Sequence, residues 1–232
     1  MKQIISVDIS HYSFEEFVEF VFDRDVPLEA EMPTSEERAN RWYYCTNAVF
    51  DLHRLSSHYV RLFSESARLR GMFSKSQLEQ GFSAISSGCS FSVKKLIWNT
   101  DLTFEHREQV VKAMFYLFRD FFSVEPLGYR ANGWWDGLCF VWEIGQRQRS
   151  RGGEDLAMQD VMFTTMSEIL SIDSDECRNA ALHGLSHLHH PATLEHLRRQ
   201  RSTISDLETW CNEYHAEEAA WADRIRKRSS SH

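Results

Sequence analysis

The chain has 232 residues, enough for one large domain or two small ones, and its 42% hydrophobic and 13% aromatic content excludes a disordered polymer. Only ten Gly and four Pro punctuate it, which points to a mostly helical protein. The net charge is −8, and residues 1–40 carry most of it, with three bases against ten acids for a net of −7. That imbalance excludes a nucleic-acid surface there, because phosphate contacts need Lys and Arg, and it suits a basic protein partner.

Residues 4–9 (IISVDI) read as a short strand or extended arm. Ser13-Phe14-Glu15-Glu16 is a capping box that opens a helix. Phe14, Phe17, Val18 and Val21 share one face of it, with Glu15, Glu16 and Glu19 largely off that face. Thr34-Ser35-Glu36-Glu37 is a second capping box. Its helix is expected to run through Trp42, Ala48, Phe50 and Leu55, with a break near Ser56-Ser57 and a continuation to Leu69. Ser74 to Gln77 starts a shorter helix, residues 86–90 a loop, and Leu96 to Trp98 a helical turn. From Thr103, the apolar run Val110 to Phe122 makes a central helix, but Lys112, Arg119 and Asp120 make it too charged and too short to span a bilayer. Trp135, Leu138, Cys139 and Trp142 fall on one face of the next helix.

Residues 146–153, with Arg147, Arg149, Arg151 and a Gly-Gly hinge, read as a mobile basic loop. It is the expected boundary between an N-terminal subdomain, 1–145, and a C-terminal one, 154–228. Met162, Met166, Ile169 and Leu170 stripe the helix that follows, and Asp173-x-x-Glu176 is a capping signature for the next. Cys177, Ala181, Leu185 and Leu188 face one way on that helix, Pro191 stops it, and a last helix is expected over residues 203–226.

The segment Leu156 to Arg201 resembles a HEAT-like helical repeat. It has an Asp in the turn (Asp173), an Arg early in the second helix (Arg178) and small residues at Ala180 and Ala181. The resemblance implies a helical hairpin that presents a surface to partners and is nearly silent on activity. With no clean repeat period over residues 1–150, the expected fold is all-α. It is an irregular multi-helix bundle with a HEAT-like hairpin in the C-terminal third.

Three surfaces are candidates for function. The acidic face of Glu15, Glu16 and Glu19 is a solvated face or a dock for a basic protein. In Asn132-Gly-Trp134-Trp135-Asp136-Gly, one Trp fills the core and the other is either core or an exposed anchor. His183, His187 and His190 lie on the side of their helix opposite Ala181, Leu185 and Leu188. His183 and His187 stand at i and i+4, the spacing that lets two imidazoles share one metal. The sequence between them lacks the Glu of HExxH, and no third ligand is legible.

The five cysteines show no CxxC, consistent with free thiols in a cytoplasmic protein, and no signal peptide is evident. No phosphate-binding, nucleophile-elbow or kinase motif occurs. The composite expectation is a non-enzymatic binding protein without cofactor, of the bacterial immunity type that neutralises a toxic basic enzyme. The alternatives are a metal-dependent hydrolase using His183 and His187, and a helical scaffold or adaptor.

Overall fold

The structure is a computed structural model that describes residues 4–26, 41–86, 88–127, 131 and 133–199. The chain divides into two compact units, Met1–Ala131 and Asn132–His232. The division falls before the tryptophan-rich segment, so the basic stretch 146–153 lies inside the second unit and is not a boundary. The helix expected over 203–226 and the second capping box at residues 34–37 lie outside the described residues. Among the described residues the protein is mostly helical, with one two-stranded sheet.

In the first unit, β1 (Ile5–Asp8) is followed by α1 (Phe14–Phe22). Ser13 and Glu16 form the capping box reciprocally: the Ser13 hydroxyl accepts from Glu16 N, and a Glu16 carboxylate oxygen accepts from Ser13 N. Phe14, Phe17, Val18, Phe20, Val21 and Phe22 are buried, which leaves the glutamates outside.

The next stretch departs from the sequence expectation. Trp42–Tyr44 forms a 3₁₀ turn, and Thr46–Val49 is a strand, β2, parallel to β1. Ile5 pairs with Thr46 and Asp8 with Val49. Only then does α2 (Leu52–Ser64) begin, with Asp51 as its N-cap, accepting from Arg54 N. Thr46, Val49 and Phe50 favour extended backbone, and β1 supplies the partner that a local pattern cannot show. Ser56 and Ser57 do not break α2, because both hydroxyls donate to His53 O and leave the ladder running.

Ser74 and Gln77 again cap each other at the start of α3 (Lys75–Ser86). A short α4 (Val93–Ile97) leads to α5 (Phe104–Leu117), which widens into a π turn over Phe118–Phe122. Helix α5 packs along α2. Around that pair Phe82 meets Phe121 and Phe122, with ring centroids 5.2 Å apart in each case. Tyr59 donates its hydroxyl to Phe91 O from within the core.

The second unit comprises α6 (Asp136–Glu143), α7 (Gly153–Ile169), α8 (Asp175–Leu188) and α9 (Thr193–Arg199). The N-cap of α8 is Ser174, accepting from Cys177 N, and not Asp173. Asp173 instead accepts from Arg178, which also donates to Ile172 O and Asp175 and so closes the α7–α8 turn. The 146–153 stretch is tied down: Arg147 pairs with Asp155, and Arg149 with Asp160 and Gln159.

Helix α8 packs on both α6 and α7, and its small residues set how closely. Ala180 and Ala181 are fully buried. At Gly184 a Cβ would lie 2.5 Å from Met166 Sδ and 2.6 Å from Trp135 Cβ. Met166 can swing away, but Trp135 Cβ is fixed to its backbone. Gly184→Ala therefore gains about 1 kcal/mol of helix propensity and loses about 1–3 kcal/mol to overpacking. A lower melting midpoint is expected, by thermal unfolding followed by circular dichroism; an unchanged or raised midpoint would contradict this packing.

Candidate metal centre

The close approach at Gly184 determines what meets on the surface above it. Trp135, packed against Gly184, directly precedes Asp136, the first residue of α6. The carboxylate of Asp136 thereby reaches the two histidines that flank Gly184 on α8. Asp136 Oδ1 lies 2.7 Å from His183 Nε2 and 3.8 Å from His187 Nε2. One ligand atom from each of the three residues falls within a set no more than 4.8 Å across. The two imidazole rings stand edge to face, with centroids 4.8 Å apart.

Asp136 Oδ1 is screened from solvent and faces both imidazole nitrogens, with His183 Nε2 at ion-pair distance. A screened carboxylate oxygen is stabilised by a cation, whether a protonated imidazole or a metal ion. In tetrahedral zinc coordination, ligand distances near 2.0–2.2 Å place donors about 3.3–3.5 Å apart. The separations of 2.7 and 3.8 Å bracket that value.

Behind this cluster, Glu143 ends α6. Its Oε2 lies 3.8 Å from His187 Nδ1 and 2.5 Å from Nε2 of His189, the C-cap of α8. Cys139, one turn along α6 from Asp136, is fully buried; burial, and then the Asp136 charge, push its pKa up.

The remaining sequence-chosen residues do not join this site. Trp134 and Trp135 are both buried, so neither is an exposed anchor. His190 does not share the face of His183 and His187, because α8 ends at Leu188 and the chain turns at His189. The His190 ring stacks on Phe163, 4.0 Å between centroids. Its Nδ1 accepts from Ala192 N and its Nε2 donates to Asp160, so it is a buried, neutral, satisfied imidazole.

On α1, Glu15 pairs with Arg61 at 3.3 Å and Arg68 at 3.7 Å, and Glu16 is spent on the cap. Of the three, among the described residues Glu15 carries the ion pairs, Glu16 carries only its cap bonds, and Glu19 carries neither. The acidic face is thus less charged than its sequence. Elsewhere in the first unit, a shallow cavity of about 680 Å³ is bordered by His11, Asp51, His53, Arg54 and His58. There Asp51 serves the α2 cap and His58 Nε2 bonds Tyr12 O.

Compared with protein-family models, with curated proteins and with solved structures, the chain matches none. Among the described residues, no helix is long and apolar enough to cross a membrane, and Cys45, Cys89, Cys139 and Cys177 are not in disulfides.

Burial holds the pKa values of His58 and His190 below that of an ordinary histidine. Their hydrogen bonds to Tyr12 O and Asp160 push the other way and only partly offset it. The unfolded chain takes up these protons near pH 6.5 and the folded chain only at lower pH, so acid favours unfolding. This contribution is fully present above about pH 6.5 and declines as the pH falls. The melting midpoint is expected to drop between pH 7.5 and 5.5, and less so in His58→Gln and His190→Gln. A flat profile in the native chain would show that neither ring is held neutral.

Proposed function

We propose that this is a metal-dependent binding protein that holds a divalent transition-metal ion at Asp136, His183 and His187. The observation that carries this reading is the convergence of Asp136 Oδ1 and two imidazole nitrogens, with one ligand atom from each residue within 4.8 Å of the others. Two nitrogens and one carboxylate oxygen suit a first-row transition ion such as zinc or iron(II), and suit calcium or magnesium poorly. Three protein ligands leave one coordination position open. The side chains of His183 and Asp136 are 48% and 38% exposed, so that position faces solvent, where an atom of another macromolecule can fill it.

The HEAT-like character of the α7–α8 hairpin supports the same reading, since such hairpins present surfaces to partners. The Arg178–Asp173 contact, with Ala180, Ala181 and Gly184 at the packed face, is the feature that supports the resemblance. An immunity-type protein that neutralises a basic enzyme is one form of this function. Its docking charge on α1 rests on Glu19 more than on Glu15 or Glu16.

The second reading is a metal-dependent hydrolase. A zinc ion held by Asp136, His183 and His187 would supply hydrolytic chemistry by making water a better nucleophile near neutral pH, which favours it.

Purified protein is expected to take up one equivalent of zinc, measured by calorimetry and elemental analysis. Asp136→Asn and the double variant His183→Ala/His187→Ala are expected to lose it while remaining helical. Full zinc uptake by the double variant would place the metal elsewhere, and no uptake by the native chain would end the metal reading. Zinc-dependent cleavage of simple ester or phosphoester substrates, abolished in the same variants, would favour the hydrolase over the binding protein.

A further inference from the structure

We propose that Glu143 is the positioning residue of this metal centre and that His189, in its left-handed backbone conformation, holds Glu143 there. The inference rests on the metal-binding reading above. Glu143 stands seven residues after Asp136, close to two full turns, so both carboxylates lie along one face of α6. The first meets His187 at Nε2 and the second at Nδ1, each at 3.8 Å. One ring is therefore addressed from both of its nitrogens by two carboxylates of a single helix.

That is the arrangement a metal-binding imidazole uses. One nitrogen gives its lone pair to the ion, and the other carries the proton and donates it to a carboxylate. The second bond fixes the tautomer and the ring plane and makes the liganding nitrogen a better donor. At 3.8 Å the Glu143–His187 contact is longer than a hydrogen bond and within ion-pair reach, and on binding the ion the half-buried His187 ring would turn to close it.

Why Glu143 stays there follows from the end of α8. His189 has φ 53° and ψ 39°, and it is the one non-glycine residue at positive φ among the described residues. A helix commonly ends with a residue in this conformation, but that residue is usually Gly, since a Cβ is disfavoured there. Here the position carries a side chain that is only 3% exposed, with its Nε2 on Glu143 Oε2. The buried Gln159 of α7 donates to Leu188 O at 2.8 Å and to His189 O at 3.4 Å, which fixes the backbone of that cap. The sequence of constraints runs from Gln159 to the cap, from the cap to His189, from His189 to Glu143 and from Glu143 to His187.

The test measures zinc affinity by competition with a chromophoric chelator in the native chain, Glu143→Gln, Glu143→Ala and His189→Gly. The visible absorption of the cobalt-substituted forms reports ligand geometry. Both Glu143 variants are expected to bind zinc about 10- to 100-fold more weakly, the usual effect of losing such a partner. They are also expected to shift the cobalt bands, with metal-free circular dichroism unchanged. His189→Gly relieves the backbone yet frees Glu143, and is expected to weaken zinc binding in the same direction. Folded Glu143 variants with native zinc affinity and a native cobalt spectrum would overturn the proposal. So would variants that lose thermal stability alone, since that is what a purely structural Glu143–His189 contact predicts. A native chain that binds no zinc overturns the metal reading and this one together. Native binding with unaffected Glu143 variants overturns this one alone.

Discussion

The second unit depends on the approach of α8 to Trp135 and Met166 at Gly184. No other residue type leaves room there, because even a methyl group would sit well inside van der Waals contact. The approach has two effects. It buries the indole of Trp135 in the core of the unit, and it lifts the adjacent Asp136 to the level of His183 and His187. Core packing and the chemistry of the surface thus share one cause. A side chain that pushed α8 outward would loosen the core and spread the three donor atoms in the same movement.

The first unit handles its charge differently. Its sequence carries a marked acidic excess, but on α1 two of the three acids, Glu15 and Glu16, are engaged. Glu15 faces Arg61 and Arg68, and both guanidinium groups also lie over the Phe14 ring, at 4.1 and 5.5 Å. Glu16 is held in ionised form below the usual carboxylate range by its bonds to the backbone and hydroxyl of Ser13. These exposed contacts contribute little stability singly. Their effect is on the field: cations recruited from α2 and the turn after it screen the face that composition alone presents as strongly negative.

What was legible in the sequence was local. The boxes at Ser13 and Ser74, the buried stripes of α1 and α7, and the stop at Pro191 all follow from residues within a turn or two of one another. The all-helical class follows from the same periodicities. What was not legible depends on distant partners. Thr46–Val49 reads as part of a helix until β1 is there to pair with it. Arg147 and Arg149 read as a free basic loop until Asp155 and Asp160 of α7 face them. Two of the three residues of the candidate site are visible as His183 and His187 at i and i+4. Asp136 stands out in the sequence for its tryptophan neighbours, but nothing local says that it lies beside a helix some forty-five residues further on. Glu143 and His189 carried no signal, because a left-handed histidine at a helix end is a property of the fold. His190 was misassigned because the helical period was carried past the residue where the helix stops.

The parallel pairing of β1 with β2 has a consequence for the order in which the first unit assembles. Ile5 meets Thr46 across a closed loop of about forty residues, whose entropy is lost before the first ladder bond forms. Two strands of four residues return too little to offset that loss, and such a ribbon does not persist alone in water. The ribbon therefore closes only once α1 has docked on α2 and α3 and the ends of the loop are already neighbours. It is a late and weakly protected part of the unit. Its amide protons are expected to exchange through local opening of the ribbon, ahead of those of α2 and α5.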